Sequence, residues 1–208
     1  MGRNSLSVAA ALLMLASPVF AQEKGGEDET GAYEVRGVTA TASPSMDIQV
    51  SSNFERLLFD AYGRDASAVR ALMASLAQSR QFTIAPKALD DIRSRFTAER
   101  ADEDETAAAI RTAQRETGYL LDPHTAVALA VAEKESRDPT IPMVVLSTAH
   151  PAKFPAAVKA ASGINPQLPN WLGDLNTRPE RVTVLPADQG AVEKFITAAS
   201  RAAQGVAA

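Results

Sequence analysis

The sequence predicts a helix-rich α/β protein, on the strength of three observations. Hydrophobic residues make up 46% and charged residues 22% of the 208 residues, which is the balance of a globular chain with a buried core. Apolar residues repeat at helical spacing from about residue 53 to residue 136. The period then changes, and two short apolar runs alternate with helical segments, as in proteins whose strands and helices follow one another.

Composition and charge exclude several function classes. The formal net charge is −4, and no block of Lys or Arg is interleaved with aromatic residues, so we expect neither a nucleic-acid partner nor a membrane surface. The chain has no cysteine, which excludes disulfides, thiolate metal sites and cysteine nucleophiles.

The first thirty residues differ from the rest. Residues 1–21 have the pattern of a signal-peptide-like leader, with Arg3 ahead of an apolar stretch, Val8–Leu15, and small residues before the predicted cleavage site. The stretch is too short to span a bilayer. An apolar start to a cytoplasmic helix is the alternative, which the polar run that follows at once disfavours. Residues 22–30 are acidic and contain glycine, as in a flexible linker.

Three helices are predicted in the first part of residues 31–208. Asn53 is a candidate N-cap for a helix through Tyr62, and Asp65 for a second helix with an apolar residue every three or four positions. Pro86 begins the third at its first position, where the missing N–H costs nothing.

Two further helices are predicted before the change of period. The acidic run Asp102–Glu105 suits the positive N-terminal end of a fourth helix, and Gly118 can end it. Asp122 followed by Pro123 opens a fifth helix, which runs to about Ser136.

The last third of the sequence is predicted to form a strand, a helix, a second strand and a second helix, in that order. Met143–Leu146 and Val182–Leu185 are short apolar runs of the kind found in buried strands. The helices run from Pro151 to about Ser162, where Gly163 stops the first, and from Asp188 to about Ala203. Two strands do not make a covered sheet, so we expect their partner strands to lie elsewhere.

The histidines do not predict a metal site. His124 and His150, even with Asp122 nearby, match no zinc spacing, and a metal needs three or four convergent ligands. A hydrogen-bonding role in the first turn of a helix is the simpler interpretation of His124. Trp171 is interpreted as a core residue.

Hydroxyl groups follow the first apolar run. Ser147 and His150 are neighbours, but no Gly-x-Ser-x-Gly elbow surrounds the serine, and no glycine-rich phosphate loop is present. Thr148 lies at a predicted strand end, where ligands of α/β sheets bind, and its hydroxyl can bond a ring nitrogen. Alternatively, Thr148 caps the following helix. From composition and spacing alone, the cap is the simpler interpretation.

Two specific motifs favour the ligand-binding interpretation of Thr148 over the helix cap. "GYLLDPHTAV" and "STAHPAKF" occur in the order found in the C-terminal part of threonine synthases of the bacterial and fungal type, which the chain resembles from about Gly31 to its end. The segments that carry the resemblance are Ser43–Asp65, Glu116–Lys134, Met143–Val158 and Arg178–Asp188.

The resemblance implies a pyridoxal-phosphate enzyme of fold type II, the tryptophan synthase β-like fold, of which this chain is an incomplete C-terminal portion. Members of the family are carbon–oxygen lyases that convert O-phosphohomoserine and water to threonine and phosphate in threonine biosynthesis. A hydroxyl residue of the family faces the pyridine nitrogen, and Thr148 matches that position. Thr148 is therefore the predicted cofactor-binding residue.

The chain also departs from the family pattern. The family's Schiff-base lysine and phosphate loop lie in an N-terminal half, and no segment here resembles either of them. Lys153 is a poor substitute, because a reactive lysine needs a desolvated amine. We therefore expect a fragment that is inactive alone, joined to an unrelated leader near Glu29–Gly31 by a natural rearrangement or an artefact. A separately encoded N-terminal half is a candidate partner.

A second function class remains open at this point. If the leader is genuine, the chain is an exported, helix-rich binding module in the periplasm or outside the cell, whereas the resemblance implies a cytoplasmic protein. In neither case do we predict a membrane association of the mature form.

Overall fold

The computed structural model describes residues 31–135 and 138–200. These residues form two compact units, one that ends at Gln167 and one that begins at Leu168. The predicted leader, residues 1–21, and the predicted linker, residues 22–30, lie outside the described residues. Most described elements are helices, which confirms the prediction of a helix-rich fold.

The first part of the larger unit packs three helices and two short strands around an aromatic core. Tyr33 lies opposite Phe82 in the antiparallel strand pair, and their rings stack with centroids 4.7 Å apart. The Tyr33 ring also stacks on Phe54 at 5.4 Å. Gly31 precedes the first strand with φ +66°, and a Cβ there would lie 3.0 Å from Leu89 Cδ2, so a glycine is required. The elements are β1 (Ala32–Glu34), α1 (Phe54–Ala61), α2 (Ala66–Ser79), β2 (Gln81–Thr83) and α3 (Pro86–Arg93).

The second part of the same unit is a helical layer with its own core. Its helices are α4 (Glu103–Thr117), α5 (Pro123–Lys134) and α6 (Pro155–Ser162). The side chains in this core are mostly small, and small side chains let helices approach closely. The buried members are Ala109, Ile110, Leu121, Ala126 and Ala130.

Most of the predicted capping residues act as the sequence predicts, and Asn53 is the exception. The Asp65 carboxylate accepts hydrogen bonds from the first-turn amides of α2, and Pro86 begins α3. Asp102 and Glu105 form a capping box at the start of α4, and Gly118 ends that helix with φ 74°. Asn53 occupies the N-cap position of α1 without a side-chain bond.

Both predicted strands of the last third are wrong. Neither Met143–Leu146 nor Val182–Leu185 forms a strand. Their side chains are also not buried, since Val144 is 69% and Val184 is 89% exposed. The apolar pattern is present, but a strand requires a hydrogen-bonded neighbour. The described residues provide no such neighbour for either run, and the one sheet among them pairs β1 with β2.

The predicted helix from Pro151 to Ser162 is divided into two pieces. A 3₁₀ turn, Pro151–Lys153, comes first, and α6 begins at Pro155. Pro155 has no N–H and cannot continue the hydrogen-bond ladder of the preceding turn. Gly163 ends α6 in the left-handed conformation, with φ 76°, as predicted.

The smaller unit contains two 3₁₀ turns, Asn170–Leu172 and Leu175–Thr177, and the helix α7, Gln189–Ala199, which Asp188 caps. None of its described residues is buried. The prediction of Trp171 as a core residue is wrong, because its side chain is 77% exposed and the described residues of this unit form no core.

We find no helix within residues 31–135 and 138–200 that has the length and apolar character needed to cross a membrane.

Candidate functional site

The loop after Leu146 presents Thr148 with a fixed backbone and an exposed side chain. The Thr148 backbone N–H donates to the hydroxyl oxygen of Thr125 at 3.3 Å. The Thr148 hydroxyl itself makes no hydrogen bond to any described residue. The side chain can therefore bond a group outside these residues while its backbone stays anchored.

His150, and not Thr148, caps the turn that follows. Its Nδ1 accepts from the Ala152 backbone N–H at 3.1 Å, at the start of the 3₁₀ turn Pro151–Lys153. The alternative role of Thr148 as a helix cap is therefore not observed.

A buried carboxylate lies beneath this loop. Asp122 is the N-cap of α5, and its side chain has no exposed surface. Its Oδ1 accepts from the backbone N–H groups of His124, at 2.9 Å, and Thr125, at 3.5 Å. Its Oδ2 accepts from the Thr125 hydroxyl. These donors, together with the positive end of the helix, compensate the negative charge inside the fold.

His124 joins three segments of the chain. Its Nε2 accepts from the Ser45 backbone N–H at 3.3 Å, so the ring proton is on Nδ1, which lies 3.1 Å from Asp122 Oδ1 and donates to it. The ring also lies against Phe154, with centroids 4.6 Å apart and tilted by 50°. The predicted hydrogen-bonding role of His124 is confirmed, and the segments around residues 45, 124 and 154 meet at this ring.

Thr125 is the residue that the sequence analysis missed. Its hydroxyl is buried, gives its proton to Asp122 and accepts the Thr148 N–H. The contact with Thr148 spans 23 positions of sequence, which no local pattern reveals. The available signal was its place in the motif Asp122-Pro-His-Thr, two residues past a proline that opens a helix.

The remaining candidates of the loop do not form a reactive pair. The exposed Lys153 places its Nζ 5.9 Å from the centroid of the Phe154 ring, which is a cation–π contact and not a desolvated site. No hydrogen bond joins Ser147 to His150, and no group of three His, Cys, Asp or Glu residues in the described part of the chain could hold a metal ion.

Comparison with known proteins gives a consistent result. The family model described as "Threonine synthase, C-terminal" matches residues 125–196, which include Thr125 and Thr148. A threonine synthase from Pseudomonas aeruginosa is 42% identical over 166 residues, which cover 79% of this chain and 35% of that protein. The chain thus spans about a third of the length of the curated threonine synthases it matches.

Solved structures agree with the sequence comparison. The crystal structure of PLP-bound threonine synthase from Brucella melitensis is 59% identical, with a TM-score of 0.73 over 83% of this chain and 37% of that one. The yeast threonine synthase structure is 33% identical, with a TM-score of 0.68 over 81% of this chain and 38% of that one. In sequence and in fold, this chain is therefore similar to the C-terminal part of threonine synthases.

Proposed function

We propose that the chain supplies the C-terminal part of a pyridoxal-phosphate-dependent threonine synthase site, in which the Thr148 hydroxyl meets the pyridine nitrogen of the cofactor. The observation that carries the proposal is an exposed hydroxyl, without a hydrogen bond to the described residues, on a backbone held by the buried Thr125. The similar Brucella melitensis protein is described as PLP bound, which agrees with this assignment.

The chemistry of the loop fits one edge of the cofactor ring. A hydroxyl can donate to a ring nitrogen or accept from it, and it carries no charge. The nearby carboxylate, Asp122, is fully buried and occupied by its own donors, so it cannot take the place of Thr148. When bound, pyridoxal phosphate supplies an electron sink. The Thr148 hydroxyl would hold the ring nitrogen without bringing a charge to it.

Neither Lys153, in the same loop, nor Lys134, at the end of α5, fits the covalent role. Lys153 is exposed over Phe154, and the Nζ of Lys134 donates to the Arg100 carbonyl at 2.7 Å and lies 2.7 Å from the Glu105 carboxylate. We propose that the reactive lysine and the phosphate-binding groups lie in the N-terminal portion of the complete enzyme. A separately encoded half could provide that portion. The complete site would convert O-phosphohomoserine and water to threonine and phosphate, as a lyase of threonine biosynthesis.

The proposed role places the protein in the cytoplasm. The alternative, an exported binding module, is not favoured, because the similarity to threonine synthases extends over about four fifths of the chain. The leader at residues 1–21 remains a prediction.

The experiment restores the rest of the site by fusing the N-terminal portion of the Brucella melitensis enzyme ahead of Gly31. We expect the fusion to bind pyridoxal phosphate, with its visible absorbance band, and to form threonine, whereas the 208-residue chain alone does neither. Thr148→Val keeps the side-chain shape but removes the hydroxyl, and should weaken cofactor binding or rate roughly tenfold. Thr148→Ser should leave both nearly unchanged.

His150→Ala is the matched control within the same loop. It removes a cap of a short turn, so we expect a smaller effect on the cofactor than that of Thr148→Val. If His150→Ala abolishes activity while Thr148→Val changes nothing, the assignment of Thr148 is wrong. A fusion that folds but neither binds the cofactor nor forms threonine contradicts the proposed function itself.

A further inference from the structure

We propose that Thr125 is a positioning residue, whose buried hydroxyl fixes the backbone at Thr148 and so aims the Thr148 side chain. The inference rests on the proposed function only in what Thr148 is aimed at, since the link between Thr125 and Thr148 is a property of this chain alone.

The direction of each hydrogen bond follows from the atoms involved. A backbone N–H can only donate, so the Thr148 amide must use a lone pair of the Thr125 oxygen, 3.3 Å away. The hydroxyl proton is then directed to the Asp122 carboxylate, which accepts it at Oδ2. Thr125 thus connects a fully buried anion to the backbone of an exposed loop.

The position of Thr125 makes this connection rigid. Its own backbone lies in the first turn of α5, and Asp122 caps that helix. Asp122 is in turn held by His124, which contacts Ser45 and Phe154. The loop is therefore tied to a helix end that several segments support, although Thr148 itself lies in no helix or strand.

A hydroxyl is required at this position. A buried Thr in a helix usually satisfies its hydroxyl by bonding a carbonyl one turn back. The Thr125 hydroxyl bonds Asp122 and Thr148 instead. Valine has the same shape but can neither accept the Thr148 N–H nor donate to Asp122, while serine retains both functions.

The test measures hydrogen exchange in the full 208-residue chain, labelled with ¹⁵N-threonine and ¹⁵N-serine and observed by NMR. In the unsubstituted chain, the Thr148 amide should exchange more slowly than the adjacent Ser147 amide, relative to their unprotected rates. An unprotected Thr148 amide overturns the inference without any variant.

Thr125→Val should accelerate exchange at Thr148 roughly tenfold, the loss of about one hydrogen bond. Thr125→Ser should restore protection to near the original value. The Thr106 amide, which donates to the Asp102 carbonyl at 2.9 Å in α4, is the internal control in the same spectrum. If amide exchange accelerates equally at Thr106 and Thr148, the substitution has only destabilised the whole unit and the inference fails.

A second measurement connects the two threonines in the fusion protein described above. If Thr125 acts through Thr148, the cofactor affinity of Thr125→Val with Thr148→Val should equal that of Thr148→Val alone. Additive losses contradict the inference. A fusion that binds no cofactor contradicts the proposed function. The hydrogen-exchange result then decides the positioning role of Thr125 by itself.

Discussion

Tyr33 carries a polar group into the aromatic core of the larger unit. Its ring stacks between Phe54 and Phe82, while its hydroxyl accepts from the Ser51 N–H at 3.2 Å and donates to the Gln49 carbonyl at 3.5 Å. Burial is the main cause of a raised pKa of this phenol, and the bond from Ser51 opposes the shift. The cause is desolvation, because a phenolate loses more hydration than a phenol does on entering the core.

The raised pKa of Tyr33 predicts a loss of stability at high pH. The folded chain keeps the phenol proton to a higher pH than the unfolded chain, whose tyrosines ionise near pH 10. The contribution of Tyr33 is therefore complete below about pH 10 and is lost as the pH rises through the folded pKa. Tyr33→Phe should flatten the decline of the unfolding free energy between about pH 9 and 11 in denaturant titrations. Tyr119→Phe, at a side chain that is 57% exposed, is the control. If the unfolding free energy declines with pH at the same slope in both variants, the prediction is contradicted.

At the level of elements, the helices follow from local chemistry. A cap and its first-turn amides lie within a few residues, so Asp65, Pro86 and Asp102 specified helix starts that sequence inspection could find. The strands depend on distant partners, which local patterns do not reveal. The pattern does not predict β1 and β2, whose paired residues Tyr33 and Phe82 lie far apart in sequence. It predicts strands at two apolar runs that have no such partner within residues 31–135 and 138–200.

The difference between two N-caps gives a stability prediction. The Asp102 side chain accepts the Glu105 N–H within a capping box, whereas Asn53 makes no cap bond. Asp102→Ala should lower the unfolding free energy by about 1 kcal/mol, within the range of roughly 0.5–2 kcal/mol for such caps. Asn53→Ala, the control, should change it by less than half as much. Urea titration measures both, and an equal loss for the two variants would show that the capping box contributes nothing specific.

At the scale of the whole molecule, the candidate site was only partly predictable. The resemblance proposes Thr148 through its motif, which stays a prediction, and the Asp122 cap was visible in the sequence. The support of the loop was not visible, since its hydrogen bonds join Thr148 to Thr125, and Ser45 to His124, across long stretches of chain. Local patterns therefore identify which residue presents a functional group, while tertiary hydrogen bonds decide where that group is held.

The apolar runs Met143–Leu146 and Val182–Leu185 expose several of their side chains. Val144 and Leu146 in the larger unit are 69% and 58% exposed, and Val182 and Val184 in the smaller unit are 73% and 89% exposed. Contiguous apolar surface beyond a few hundred Å² is unusual on a soluble monomer and tends to bind partners or aggregate. We expect the 208-residue chain to bind a hydrophobic dye strongly.

We expect the same runs to be covered when the N-terminal portion is fused ahead of Gly31, if their strand partners lie in that portion, as the fragment hypothesis predicts. Dye fluorescence should then fall to the level of an ordinary folded protein. In the chain alone, Val182→Thr with Val184→Thr should lower dye binding, whereas the control Val38→Thr, at a side chain that is 55% exposed outside both runs, should not. A monodisperse monomer that binds no dye and melts in one sharp transition would show that the runs need no partner, and would count against the expectation that this chain is a fragment.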